Sequence, residues 1–199
     1  MPEHILAAVA WPYANAEIHV GNLAGSYLPA DIFARYHRLK GNRVLMVSGS
    51  DSHGTPITVR AEAEGVSPEE VYTRFHGGFL ELFQQLGLTY DLFTSTHTQN
   101  HFKASQAMFM ALLENGYMYR ETQAQWYSPA QDRFLPDRYV EGTCAVCGFE
   151  GARSDQCDNC GTLLDPSKLK DPRSKIDGSV PELRETQHYF LDLRELQRE

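Results

Sequence analysis

All four cysteines of this 199-residue chain fall between positions 144 and 160, as Cys144-Ala-Val-Cys147 and Cys157-Asp-Asn-Cys160 with nine residues between the pairs. A glycine follows each pair, Gly148 and Gly161. Two such knuckles gather four thiolates around one point, with tight turns that aim backbone amides at the sulfurs. Four thiolates in a tetrahedron at ~2.3 Å suit Zn2+. The spacing therefore predicts one structural zinc held by Cys144, Cys147, Cys157 and Cys160. A catalytic zinc would need an open position, which four protein ligands do not leave. Disulfides would have to form within this one loop, against a reducing cytosol, and neither pair opens a helix as a redox dithiol does. Residues 129–182 around the cysteines are rich in Pro, Gly and Asp and show little helical period. The expectation is a small loop-rich insertion without a core of its own, where the metal takes the place of one.

The rest of the chain reads differently. Residues 4–9 form a short apolar run, a buried strand. A helical period follows from about His19 to Leu39, with Leu23, Tyr27, Ala30, Phe33, Ala34 and His37 at three- and four-residue steps. Pro29 lies inside it and is expected to kink it. Val44–Val47 reads as a second buried strand, so strand, helix and strand make a parallel βαβ unit and the fold class is α/β. A short helix is expected over 56–64. Ser67-Pro68-Glu69-Glu70 signals the start of another, running to Leu86 and stopping at Gly87. Further elements are a strand at 91–94, a helix over 98–115, a strand over 117–128, a strand over 186–191 and a helix starting at Asp192.

Composition sets the outer bounds. The net charge is −8, with 42% hydrophobic and 22% charged residues, which is ordinary for a soluble globular chain. No run approaches the ~20 apolar residues of a membrane span, and Met1-Pro2-Glu3-His4 lacks the basic region of a signal peptide. The expectation is a cytoplasmic protein with no membrane partner. The acidic balance argues against a general nucleic-acid coat. Lys168 to Lys175 is the one locally basic segment, either a solvated loop or a local basic patch.

The chemistry gathers at the first strand–helix junction, Ala10-Trp11-Pro12-Tyr13-Ala14-Asn15-Ala16-Glu17-Ile18-His19-Val20-Gly21-Asn22. Ligands of doubly wound sheets bind there. His19 is a donor suited to phosphate oxygens, and Gly21 lets a flat ring or phosphate approach the backbone. Neither a Walker loop nor G-x-G-x-x-G is present.

The pattern P-Y-A-N-x-x-x-H-x-G resembles the "HIGH" signature of class I aminoacyl-tRNA synthetases. Leu23 to Asp31, Gly49-Ser-Asp-Ser-His-Gly-Thr-Pro-Ile57, Phe134-Leu-Pro-Asp-Arg138 and the C-x2-C-x9-C-x2-C insertion resemble the methionyl-tRNA synthetases in particular. The resemblance implies the first half of a Rossmann-like class I synthetase catalytic domain with a small zinc-binding insertion. Residues 1–116 would be its nucleotide- and methionine-binding half, 117–185 a connective insertion with the zinc knuckle at 143–162, and 186–199 the start of the return. It implies ATP-dependent activation of methionine to methionyl-adenylate and transfer to tRNA, with ATP bound together with Mg2+. By resemblance His19, Gly21 and Asn22 bind ATP and stabilise charge, Asp51 accepts the methionine ammonium, and Ala10, Trp11, Pro12 and Tyr13 line the side-chain pocket. Plainer roles stand beside these: Asp51 as a cap of the helix near Thr55, Tyr13 as core. His53 is open between the site and structure; His97 and His101 read as helix-start and surface residues.

Two positions depart from the pattern. Asn22 stands where the signature commonly has His, and Trp11 where a smaller apolar residue is usual. A match to the family's lysine-bearing "KMSKS" loop is absent, because Lys40, Lys103, Lys168, Lys170 and Lys175 lie in no such setting. The expectation is an N-terminal portion of the enzyme, missing the C-terminal part and inactive or nearly so by itself. An open half-sheet should be poorly stable or associate. Two other readings remain: a non-catalytic, zinc-stabilised module that binds tRNA or methionine, and a sister synthetase for isoleucine, valine or leucine.

Overall fold

A computed structural model describes residues 2–197. The chain divides into two compact units after Ser105. In the first, β1 (His4–Ala8), β2 (Arg43–Ser50) and β3 (Leu92–Ser95) form a parallel sheet in that order, with Ala7 opposite Met46 and Gly49 opposite Thr94. The α/β class and the leading βαβ unit are as the sequence predicts. β2 runs on to Ser50, past the expected end at Val47, because Ser48, Gly49 and Ser50 are small enough to be buried on both sides.

Between β1 and β2 the helical segment has three parts: α1 (Val20–Asn22), a π-helical turn at Leu23–Tyr27, and α2 (Leu28–Leu39). The Leu28 N–H bonds to the Leu23 carbonyl, five residues back. Pro29 lacks an N–H and its ring crowds the carbonyl of Gly25, so the disturbance expected at the proline takes the form of a widened turn before it. α3 (Thr55–Glu64) and α4 (Pro68–Gln85) follow β2, and α5 (Gln99–Glu114) follows β3. α4 opens on a reciprocal cap between Ser67 and Glu70, as its sequence predicts.

Helix α4 buries Val71, Phe75, Phe79 and Phe83, one residue per turn, in a core with Val9, Tyr27, Ala34, Met46, Ile57 and Ala61. Asp31 on α2 is buried and accepts from the Thr89 backbone N–H at 2.7 Å and from Arg35 Nε at 2.6 Å. Burial pushes its carboxyl up, but the bonds from Thr89 and Arg35 outweigh this and hold it below the usual carboxylate range. The helices cover one face of the sheet. The other shows Leu6, Leu45 and Leu92 at 65%, 52% and 54% exposure, whereas parallel sheets usually bury both faces.

In the second unit β4 (Met118–Ser128) pairs with β5 (Arg133–Phe134). β6 (Val140–Thr143), β7 (Ala152–Arg153) and β8 (Lys170–Ser174) make a separate three-stranded sheet with β6 central. β9 (Glu182–Leu191) returns antiparallel along β4, from Tyr127 opposite Glu182 to Met118 opposite Leu191, so this strand starts four residues before the expected 186. A short helix, α6 (Leu193–Leu196), follows.

The insertion does have a core, which corrects the sequence-based expectation. Trp126, Leu135, Tyr139, Val140, Cys144, Ala152, Cys157, Leu164 and Leu169 pack together. Apart from the adjacent Tyr139 and Val140, its members are scattered along the segment, with no period to announce them. Among the described residues no helix is long and apolar enough to cross a membrane.

Candidate functional site

The segment after β1 is stitched to the end of β2. Val9 N–H donates to Val47 O at 2.9 Å, Asp51 N–H to Pro12 O at 2.7 Å and Ala14 N–H to Asp51 O at 2.9 Å. Tyr13 and Asp51 thus face each other in a parallel bridge. Trp11 lays its ring over Gly49: a Cβ there would sit 2.8 Å from Trp11 Cη2 and from Thr94 O. Gly49 thus makes room for the Trp11 ring, a contact that the Gly49–Ile57 motif does not itself reveal.

A cleft of about 300 Å³ opens beside this seam. Its walls include the predicted Ala10, Trp11, Pro12, Tyr13, His19 and Asn22, together with Asn15, Glu17, Ser26, Tyr27 and Phe79, which sequence reasoning does not single out. Asp51 and Gly21 are not in the lining, although Asp51 is held to it through Pro12 and Ala14. Tyr13 is 47% exposed, so it is not a core residue. Nor does Asp51 cap α3, whose cap residue is Gly54 without a side-chain bond. Its Oδ1 accepts from the His53 N–H at 3.3 Å and from Thr96 Oγ1 at 3.4 Å, long contacts that leave room for a stronger donor.

His19 and Asn22 cap α1 reciprocally. Asn22 N–H donates to His19 Nδ1 at 3.3 Å, and His19 N–H donates to Asn22 Oδ1 at 3.2 Å. An Nδ1 that accepts leaves the proton of the neutral ring on Nε2, where it can be donated outward. A Cβ at Gly21 would lie 2.9 Å from the His19 ring. The space glycine leaves is therefore taken by His19 itself rather than being held open for a ligand. Asn22, the departure from the signature, closes this cap.

Beneath the seam lies a layer of buried hydroxyls. Ser48 Oγ donates to Val9 O at 3.1 Å, Ser52 Oγ pairs with Ser95 Oγ at 2.7 Å, and Ser50 Oγ pairs with His76 Nδ1 at 2.7 Å. His97 is half-buried rather than at the surface, and its ring meets His53, Tyr72 and Phe102. His101 is exposed and pairs with Ser105.

In the second unit the sulfurs of Cys144, Cys147, Cys157 and Cys160 all lie within 4.8 Å of one another. Cys144 and Cys160 are 3.9 Å apart, Cys147 and Cys157 3.6 Å. A tetrahedron with ~2.3 Å arms has edges of ~3.8 Å, so the donor set fits a thiolate-bound metal. Gly148 and Gly161 adopt φ +74° and +71°, and their N–H groups donate back to the carbonyls of Cys144 and Cys157. Val146 N–H points at Cys144 Sγ at 3.4 Å. Bonds from Thr162 bring the Cys160 thiol down to about 6, while burial pushes Cys157 up to about 11. It is the one such group of three or more potential ligands among the described residues.

A one-sided parallel sheet with a His-capped cleft at the tips of β1 and β2, and a tetrathiolate insertion downstream, defines a class of protein. The chain belongs to the class I tRNA synthetases: the family described as "tRNA synthetases class I (M)" matches residues 5–199. It is 62% identical over 193 residues to the methionine–tRNA ligase of Thermomicrobium roseum, covering 97% of this chain and 33% of that protein. It is 60% identical over 197 residues to that of Roseiflexus castenholzii, covering 99% and 33%. Among solved structures, the Mycobacterium tuberculosis methionyl-tRNA synthetase in complex with methionyl-adenylate has the same fold at a TM-score of 0.64 and 24% identity, over 99% of this chain and 33% of that one. The chain thus spans about a third of the length of the curated relatives it matches.

Proposed function

We propose that the chain is the N-terminal portion of a methionine–tRNA ligase, the part that receives methionine and ATP. The observation that carries this is the Tyr13–Asp51 bridge beside the His19 cleft. It brings a carboxylate for an ammonium, an aromatic wall for a thioether and an outward imidazole donor to one seam. In this reading residues 1–116 form the substrate half, 117–185 the connective insertion and 186–199 the start of the return.

The reaction joins two anions. A methionine carboxylate oxygen forms a bond to the α-phosphorus of ATP as the bond to pyrophosphate breaks; a tRNA hydroxyl oxygen then bonds the acyl carbon as the acyl–phosphate bond breaks and AMP leaves. Two negative groups need to be held and their charge met by donors. His19 Nε2–H donates to the phosphate oxygens, with Gly21 and Asn22 keeping its ring in place. Asp51 accepts from the α-ammonium; Ala10, Trp11, Pro12 and Tyr13 line the side-chain pocket. ATP enters with Mg2+. Zn2+ is the metal we assign to Cys144, Cys147, Cys157 and Cys160, where it supplies a cross-link and no open coordination site. Reduced thiols of this kind suit the cytoplasm.

The test is methionine-dependent ATP–pyrophosphate exchange by the full gene product, with leucine, isoleucine and valine as competitors. Methionine should drive exchange, and His19→Ala should lower kcat about 100-fold. Exchange driven equally by leucine would point to a sister synthetase, and none at all to a non-catalytic binding module. Residues 1–199 alone should give almost none. Metal analysis should find one zinc per chain.

A further inference from the structure

Three serines of the buried hydroxyl layer sit on or just past the end of β2, and they are satisfied in different ways. Ser48 bonds the backbone of β1, and Ser52 bonds Ser95 just across the sheet. Ser50 alone draws its close partner from a helix: His76 of α4, with Nδ1 2.7 Å from Ser50 Oγ. His76 lies beside the aromatic stripe of α4 and stacks on Phe93, ring centroids 5.8 Å apart. An aliphatic pair at 50 and 76 would avoid burying the Ser50 hydroxyl and half-burying an imidazole. The sequence instead keeps a polar tie one residue before Asp51.

We propose that His76 is a positioning residue for the amino-acid subsite, fixing through Ser50 the backbone that carries Asp51. This rests on the reading of Asp51 as the ammonium acceptor. The surrounding bonds show why one tie has such leverage. Asp51 is held on one side by Pro12 and Ala14; Ser52 is held on the other by Ser95 and by Thr96 Oγ1, 2.8 Å from its N–H. Ser50 O accepts from the Thr96 N–H at 3.1 Å. The Ser50 side chain is the remaining handle, and His76 takes it. Burial lowers the imidazole's pKa, which favours the neutral ring beside Ser50.

Two substitutions in the full gene product separate the bond from the ring. His76→Phe keeps the stack on Phe93 and loses the bond. His76→Asn loses the ring and keeps a polar atom near the Nδ1 position. In pyrophosphate exchange, His76→Phe should raise the methionine KM about tenfold, the ratio for a lost buried hydrogen bond of ordinary strength. The KM for ATP should stay within about twofold, and His76→Asn should restore most of the loss. The backbone is read separately by hydrogen exchange over residues 50–54, which should quicken in His76→Phe and not in His76→Asn. A His76→Phe protein with normal methionine KM and unchanged exchange at 50–54 would overturn the proposal. So would a parallel rise in both KM values, or equal effects of the two variants. Failure of the ligase reading looks different: the unmodified protein would show no methionine dependence, while the hydrogen-exchange arm would still report whether His76 holds this turn.

Discussion

Phe79 in the first unit and Cys157 in the second are equally buried, each at 1% exposure, for opposite reasons. Phe79 belongs to a stripe of four large side chains at helical spacing, and its burial follows from a long amphipathic helix against a sheet. Cys157 lies in a segment of short strands and tight turns, where the apolar residues are scattered and follow no helical spacing. Its sulfur is drawn in by three others. The first unit is held by area removed from water, the second by a small core and four thiolates sharing two of the same residues, Cys144 and Cys157. The thiol cluster and the apolar packing in the insertion are therefore one device rather than substitutes for each other.

The sharpest way to break this contrast is to remove the metal. A chelator, or Cys157→Ser, should abolish hydrogen-exchange protection over 140–170 and leave 43–50 and 68–85 protected; small zinc domains derive roughly 10 kcal/mol or more from the ion. Retained protection over 140–170 would show that the apolar cluster suffices. The reciprocal change is Phe83→Ala, whose ring packs against Tyr27, Tyr90 and Phe93. It should cost the first unit about 3–5 kcal/mol in denaturant unfolding and leave zinc affinity unaltered.

Asp31→Asn probes the polar clamp of the first unit, with an expected loss of about 2–3 kcal/mol at neutral pH. The folded-state pKa is lowered, so this stabilisation is present above the ordinary carboxylate pKa and fades as pH falls through the folded value. Thermal melts of the two proteins should therefore converge as pH falls below the usual carboxylate range. The smallest effect belongs to Gly49→Ala, about 1–3 kcal/mol from the clash with Trp11 and the Thr94 carbonyl. Adding Trp11→Leu should recover the part due to the ring.

These features differ in how openly the sequence states them. α4 announces itself through Ser67, Pro68, Glu70 and its four-residue rhythm, all local signals. The cysteine knuckles do the same through spacing. The βαβ start is legible because buried strands and an amphipathic helix have different periods. What stays hidden depends on neighbours distant in sequence. Gly49 matters only because Trp11 lies over it; Ser50 only because His76 reaches it; Leu135 and Leu164 only because the insertion packs them into one cluster. The π turn before Pro29 is a local response, but the sequence shows only that the ladder must be disturbed, not how.

The uncovered sheet face has a consequence for how substitutions would be tolerated. Along β2, Arg43 and Leu45 are exposed while Val44 and Met46 turn to the core, and from Ser48 to Ser50 every residue is buried. A saturation scan of this strand, scored by stability, should alternate between permissive and strict positions through its first half. The alternation should then vanish, with every position strict. That loss of rhythm would mark, from mutational data alone, where the strand leaves the open sheet face and enters the buried hydroxyl layer.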